Sequence, residues 1–270
     1  ELQRWLVGQF EEPRDVNRVI WAMAYLRRRF DISMLKYLLE NAEKWFRSTD
    51  YEMILNDLGQ LFYVKEYPHQ QSHLLHDEVQ RMVAGYLFPD IGIWEVFRKD
   101  LYDLIVQRYY PEVIERAEEA GDESLVRQLR AEQLGYILDE DHYDGLRRYE
   151  NYRDEIEETR DYDFEELVWG EMREHLDRFG NRGYQICLDR GRWLRRHSLF
   201  WKAEEHYRQM MDRFAEWRVD ISQSVGFMAM RQGKIPEARA IFEESLKWVE
   251  EDDFKALAMI ESNLAQVAIE

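Results

Sequence analysis

The chain has 270 residues, 45% of them hydrophobic, and its 9 Trp, 16 Tyr and 13 Phe supply enough packing material to exclude a disordered chain. Its 55 acidic residues against 37 basic ones leave a net charge of −18, which disfavours nucleic acid or an anionic membrane surface as the main partner, because neutralising phosphates needs clustered Lys and Arg. One cysteine, Cys187, excludes an internal disulfide framework and suits a reducing, cytoplasmic setting, and no apolar run is long enough to span a bilayer.

Few prolines and glycines, 5 and 13, predict long regular elements rather than many turns. Val16, Val19, Ile20, Met23 and Ala24 recur with helical spacing and predict a first helix. Asp31 is a good N-cap for a second, which carries Leu35, Leu38, Leu39 and Ala42 on one side. Thr49 or Asp50 can cap a third, with Ile54, Leu55 and Leu58, ended by Gly59. The run Phe62, Tyr63, Val64 and Tyr67 is aromatic or β-branched and predicts a strand. Pro68 to Gln71 is a plausible turn, and Ser72 to Leu75 a return strand. From Asp77 the spacing reverts to helical through Val79, Met82, Val83, Tyr86 and Leu87, until Phe88-Pro89 stops it. Three helices, a hairpin and a closing helix outline a winged-helix module within residues 1–110.

Residues 111–270 are expected to be almost wholly helical and contain a repeat. Gly191 and Gly226 stand 35 residues apart, as do Leu194 and Ala229, Ala203 and Ala238, and Tyr207 and Phe242. Pro236 falls just inside a helix start, where its missing N–H costs nothing. Leu264-Ala265 is expected to fall in the next unit, and Leu134-Gly135-Tyr136 with Gly145 and Tyr149 looks like an earlier pair. A helix pair of this kind cannot bury its apolar face alone, so stacking into a solenoid follows. The acidic run Asp139 to Asp144 lacks the glycine-centred spacing of a calcium loop and reads as a solvated connector. Cys187 lies on an apolar helix face, as a packed thiol does.

The hexapeptide Leu74-Leu75-His76-Asp77-Glu78-Val79, following the aromatic run, resembles the end of the winged-helix domain in STAND-class (NB-ARC-like) regulatory ATPases. Leu26 to Asp31 looks like the helical lead-in of that family, and 111–270 is similar to its tetratricopeptide (MalT-like) sensors. The resemblance implies that His76 senses the β-phosphate of ADP while Asp77 caps the helix. It also implies a regulatory portion coupled to an upstream nucleotide-binding domain. Gly233-Lys234 is followed by Ile235 and lacks the upstream glycine of a P-loop, so neither a cofactor nor ATP hydrolysis is expected of these residues alone, and ADP or ATP with Mg only of a longer protein. Because the first residue is not Met and the last residues break off in a helical pattern, a fragment is expected.

The repeat register, carried over from that family, turns Arg192, Arg195 and Arg196 of one unit, and Gln223, Phe227 and Arg231 of the next, into a groove. Arginines there suit a protein, a peptide or a small anionic ligand, through bidentate hydrogen bonds. DNA is not expected: the would-be recognition helix Asp50 to Gly59 carries Asp50, Glu52 and Asp57 and no Lys or Arg. A zinc hydrolase at His69, His73 and His76 would need all three on one helix face. A plain scaffold without a nucleotide switch is the other alternative.

Overall fold

The computed structural model describes residues 15–26, 30–61, 64–67, 72–87, 93–250 and 252–269, and the chain is mainly helical. It divides into two compact units, Glu1–Arg173 and Glu174–Glu270. Among the described residues no helix is long and apolar enough to cross a membrane.

In the first unit, helix α1 (Asp15–Tyr25) is buried from Val19 through Ala24, as expected of a helix apolar on nearly every side. Helices α2 (Ile32–Asn41) and α3 (Tyr51–Gly59) begin where carboxylates satisfy their open N–H groups. Asp31 accepts from Met34 N at 2.9 Å, and Asp50, rather than Thr49, accepts from Met53 N at 3.1 Å. Strands β1 (Val64–Tyr67) and β2 (Ser72–Leu75) pair antiparallel, from Val64 opposite Leu75 to Tyr67 opposite Ser72. The His73 N–H also donates to the Phe30 carbonyl (2.9 Å), which ties the return strand to the entrance of α2. Helix α4 (Asp77–Leu87) follows and packs on α1 through Val79 and Val83. Residues Arg27 to Arg29, Phe62-Tyr63, the turn Pro68 to Gln71, and Phe88-Pro89 lie outside the described residues.

A single helical run then changes pitch twice: α5 (Ile93–Leu101), a π-helical segment (Tyr102–Tyr109) and α6 (Tyr110–Glu119). The wide pitch leaves backbone groups to be satisfied from outside, and Gln133 Nε2 donates to the Val106 carbonyl at 2.7 Å. Gln133 belongs to α7 (Glu123–Glu140), which packs on α6, on α8 (His142–Thr159) and on α9 (Tyr162–Met172).

The acidic run expected as a connector is instead mostly helix. Asp139 and Glu140 end α7, His142 begins α8, and only Asp141 links them, its carboxylate accepting from Tyr143 N (2.9 Å) and Asp144 N (3.1 Å). An aspartate that caps the next helix at once makes a longer loop unnecessary. Gly145 lets α7 and α8 approach closely, since a Cβ there would lie 2.6 Å from Leu138 Cδ2.

The second unit runs α10 (Asn181–Arg196), α11 (Phe200–Arg213), α12 (Arg218–Arg231), α13 (Ile235–Ser245) and α14 (Phe254–Ile269). Each packs on the next, and α12 also touches α14. The 35-residue repeat is physical. A Cβ on Gly191 would lie 2.4 Å from the Tyr207 ring, and one on Gly226 would lie 2.4 Å from the Phe242 ring. The links match as well. Ser198 N bonds Arg195 O and Leu199 N bonds Leu194 O, just as Gly233 N bonds Met230 O and Lys234 N bonds Ala229 O. Ser198 (φ 62°) and Gly233 (φ 74°) hold the left-handed position of the same helix-ending turn. Pro236 falls in the first turn of α13, and Leu264-Ala265 lies within α14.

Candidate functional site

The alternation of β2 and the helical spacing of α4 together set the orientation of His76. Leu75 and Val79 point inward and are buried, so the imidazole between them is exposed. The His76 carbonyl accepts from Gln80 N at 2.9 Å, so the capping position falls on His76, one residue earlier than expected. Asp77 is the first helical residue, where its carboxylate, with that of Glu78, faces the positive end of the helix dipole.

The zinc alternative does not have the helix it requires. His73 sits buried on β2 while His76 is exposed at the start of α4, and His69 lies outside the described residues. Among the described residues no three His, Cys, Asp or Glu side chains come together as a metal would need.

Arg192, Arg195 and Arg196 are exposed on the last turns of α10. Arg192 pairs with Asp189, one turn back, at 3.3 Å. Burial pushes the Tyr207 phenol above its ordinary pKa, while Arg195, Arg192 and a hydrogen bond with Ser224 oppose that shift. Burial likewise raises Tyr184, against the pull of Arg192. Two arginines of α10, a phenol of α11 and a hydroxyl of α12 therefore converge.

On α12, Gln223, Phe227 and Arg231 follow one another at intervals of four and share a ridge. Gln223 is not the open groove residue expected of it. It is only 8% exposed, and its Oε1 accepts from Asn263 of α14 at 2.6 Å. Its Nε2 is buried without a partner among the described residues. Phe227 is half-buried and Arg231 is exposed, with its guanidinium 5.3 Å from the centre of the Phe200 ring. Among the described residues, neither Arg195 nor Arg231 has a carboxylate partner.

Beside this ridge lie two buried polar clusters that the repeat pattern did not reveal. Glu204 accepts from Arg208 (2.8 Å), Gln232 (2.7 Å) and Lys234 (2.9 Å), so α11 and the link between α12 and α13 meet on one carboxylate. Burial alone would raise Glu204, but these donors outweigh it and hold the carboxyl below its usual range. His206 donates from Nε2 to the Cys187 carbonyl (2.7 Å), leaving Nδ1 to accept from Arg190 at 3.4 Å. Cys187 itself is buried, and burial pushes its thiol up to about 12.

The aromatic pair Phe200-Trp201 was also missed. The core stripe of α11 is Ala203, Tyr207 and Met210. Trp201 stands off that stripe and is 58% exposed. An aromatic residue off the apolar stripe and next to Lys202 is a signal the sequence does contain.

Comparison with protein-family models, with curated proteins and with solved structures gave no match.

Proposed function

We propose that this chain is the regulatory portion of a STAND-class switch, in which a tetratricopeptide-like unit receives a ligand or protein partner. A winged-helix module within residues 1–110 then passes that event to an ADP- or ATP-binding domain carried elsewhere. The observation that carries this reading is His76: an exposed imidazole at the open N-terminus of a helix that directly follows a hairpin. First-turn N–H groups and the helix dipole favour an adjacent phosphate, and an imidazole N–H can add one further donor to it. The order helix, helix, helix, hairpin, helix supports the winged-helix assignment, as does the bond between His73 and Phe30. The acidic α3 argues against DNA as its ligand.

Mechanistically the switch is a population shift. A ligand that takes the equilibrium from 1:99 to 99:1 must favour the open state by about 5.5 kcal/mol. His76 contributes to the closed, ADP-bound side. In the protein together with its nucleotide-binding domain, His76→Ala is expected to speed ADP release and raise basal activity; unchanged ADP retention would refute the role. The scaffold reading is favoured by the second unit, whose helices stack by nearest-neighbour packing and need no nucleotide to do so. It becomes the better account if no Gly-x-x-x-x-Gly-Lys-Ser/Thr loop is encoded upstream.

A further inference from the structure

Between Arg190 and Lys202 the chain carries four arginines, a lysine and no acidic residue, inside a protein of net charge −18. The turn at Ser198 folds this window back on itself, so that the last turn of α10 lies beside the first turn of α11. Arg231, from the end of α12, reaches the ring of Phe200. Its guanidinium lies 5.3 Å from the centre of that ring, and with no carboxylate partner among the described residues its donors remain available. Trp201, the next residue along, is 58% exposed, and Phe227 lies one turn before Arg231 on the same face of α12. Further along that ridge, Gln223 keeps a buried Nε2 without a partner.

We infer that Arg195, Arg231 and the Phe200–Trp201 pair form a docking surface for an acidic peptide segment that carries an apolar side chain between its carboxylates. The inference deepens the sensor reading by naming the chemistry of its partner, and it rests on that reading for its regulatory consequence only. The carboxylates meet Arg195 and Arg231, and the apolar side chain lies against Trp201 and Phe227. Trp and Arg are the side chains most often found to carry binding energy at protein interfaces, and Trp201 is exposed and open to cover by a partner. Nucleic acid is a poorer fit, because the rest of this acidic chain repels a long polyanion. The basic window is also only one helix turn-around long.

The test uses the full chain and a fluorescein-labelled dodecapeptide with Glu and Asp flanking a central Phe, read by fluorescence anisotropy. Two comparison probes are the same peptide with Phe replaced by Gly and a single-stranded thymidine 12-mer. Arg195→Ala with Arg231→Ala should weaken peptide binding about tenfold or more, Trp201→Ala about fivefold or more, and loss of the peptide Phe by a similar factor. Arg231→Lys should recover little of the loss, since an ammonium neither stacks nor presents a planar fork. The three substituted side chains are exposed, so the variants keep the fold, which unchanged thermal unfolding verifies. Equal binding of wild type and the double variant overturns the proposal, as does a thymidine oligomer that binds as well as the peptide. A peptide that binds at this surface but, in the protein together with its nucleotide-binding domain, leaves ADP retention unaltered would remove the sensing role while the docking surface stands.

Discussion

Gly226→Ala offers the sharpest test of the repeat packing. The added Cβ would lie 2.4 Å from Phe242 Cε1, 2.5 Å from Cζ and 2.9 Å from Cδ1. Ordinary carbon contacts are about 3.5–4.0 Å, so the ring or the helix must retreat by roughly 1 Å. Phe242 is fully buried among Ala229, Ala238 and Ile260 and has no free side to move into. Overpacking of this kind costs about 1–3 kcal/mol, while Ala regains about 1 kcal/mol over Gly in a helix. Because three rigid ring atoms clash at once, the upper half of the range applies, and the net expectation is a loss of about 1–2 kcal/mol. Gly170→Ala, at a helical glycine with nothing within 4 Å of the added methyl, should instead stabilise by up to about 1 kcal/mol. Combining Gly226→Ala with Phe242→Leu should cost less than the two single changes together, by about 1 kcal/mol, because a smaller side chain makes room for the methyl. Urea unfolding with hydrogen exchange of the α12 and α13 amides is the appropriate assay, since two units can open in separate steps. If Gly226→Ala is neutral or stabilising there, the close contact between these helices is not what holds them together.

The remaining predictions concern the second unit. Ser198→Gly relieves a left-handed residue and should stabilise by about 0.5 kcal/mol, whereas Gly233→Ser in the matching turn should destabilise by about 1 kcal/mol; opposite signs in urea melts check the pair. Glu204 is held below its unfolded value of 4.5, so its contribution is present above that pH and is lost as pH falls through the lower folded value. Glu204→Gln should therefore lower stability at neutral pH and flatten its decline in acid, and parallel acid limbs for variant and wild type would contradict the network. The buried Cys187 thiol, pushed up to about 12, stays protonated in the native state well above pH 9. Iodoacetamide at pH 8.5 should label it at least about a hundredfold more slowly in buffer than in urea, and equal rates would show the thiol to be accessible.

How much of this was legible in the sequence depended on what each residue had to satisfy. The helix starts at Asp31 and Asp50 and the strand from Ser72 to Leu75 were readable, because caps and alternation are local. So was the 35-residue register of Gly191 with Gly226 and Tyr207 with Phe242, though the close approach of each glycine to its ring came only with the structure. The π-helical segment was not readable: its pitch depends on Gln133, supplied from another helix, and no local pattern announces it. The acidic link failed for a related reason. Composition suggested a solvated loop, but a single aspartate in cap geometry is enough to reverse the chain between two helices. Gln223 shares a helix face with Phe227 and Arg231 but lies deeper than its helical spacing suggests, because Asn263 of α14 covers it from 40 positions further along the chain.

The two repeats act as each other's control, since they share their packing positions and differ on the turn that follows the packing glycine. Positions that set the packing are alike or interchangeable: Gly191 and Gly226, Ala203 and Ala238, Tyr207 and Phe242, and the left-handed Ser198 and Gly233. The positions that follow each packing glycine are not. Arg192 corresponds to Phe227 and Arg195 to Met230, while Arg196 and Arg231 are the same. Met230 is buried, whereas Arg195 is exposed. One backbone turn thus exposes three arginines in the first unit, whereas the matching turn of the second half-buries Phe227, buries Met230 and exposes Arg231 beside the Phe200 ring. A surface that served packing alone would show the same residue types in both copies, as the buried stripe does. The contrast in charge between the two matching turns is what the proposed docking surface for an acidic peptide requires.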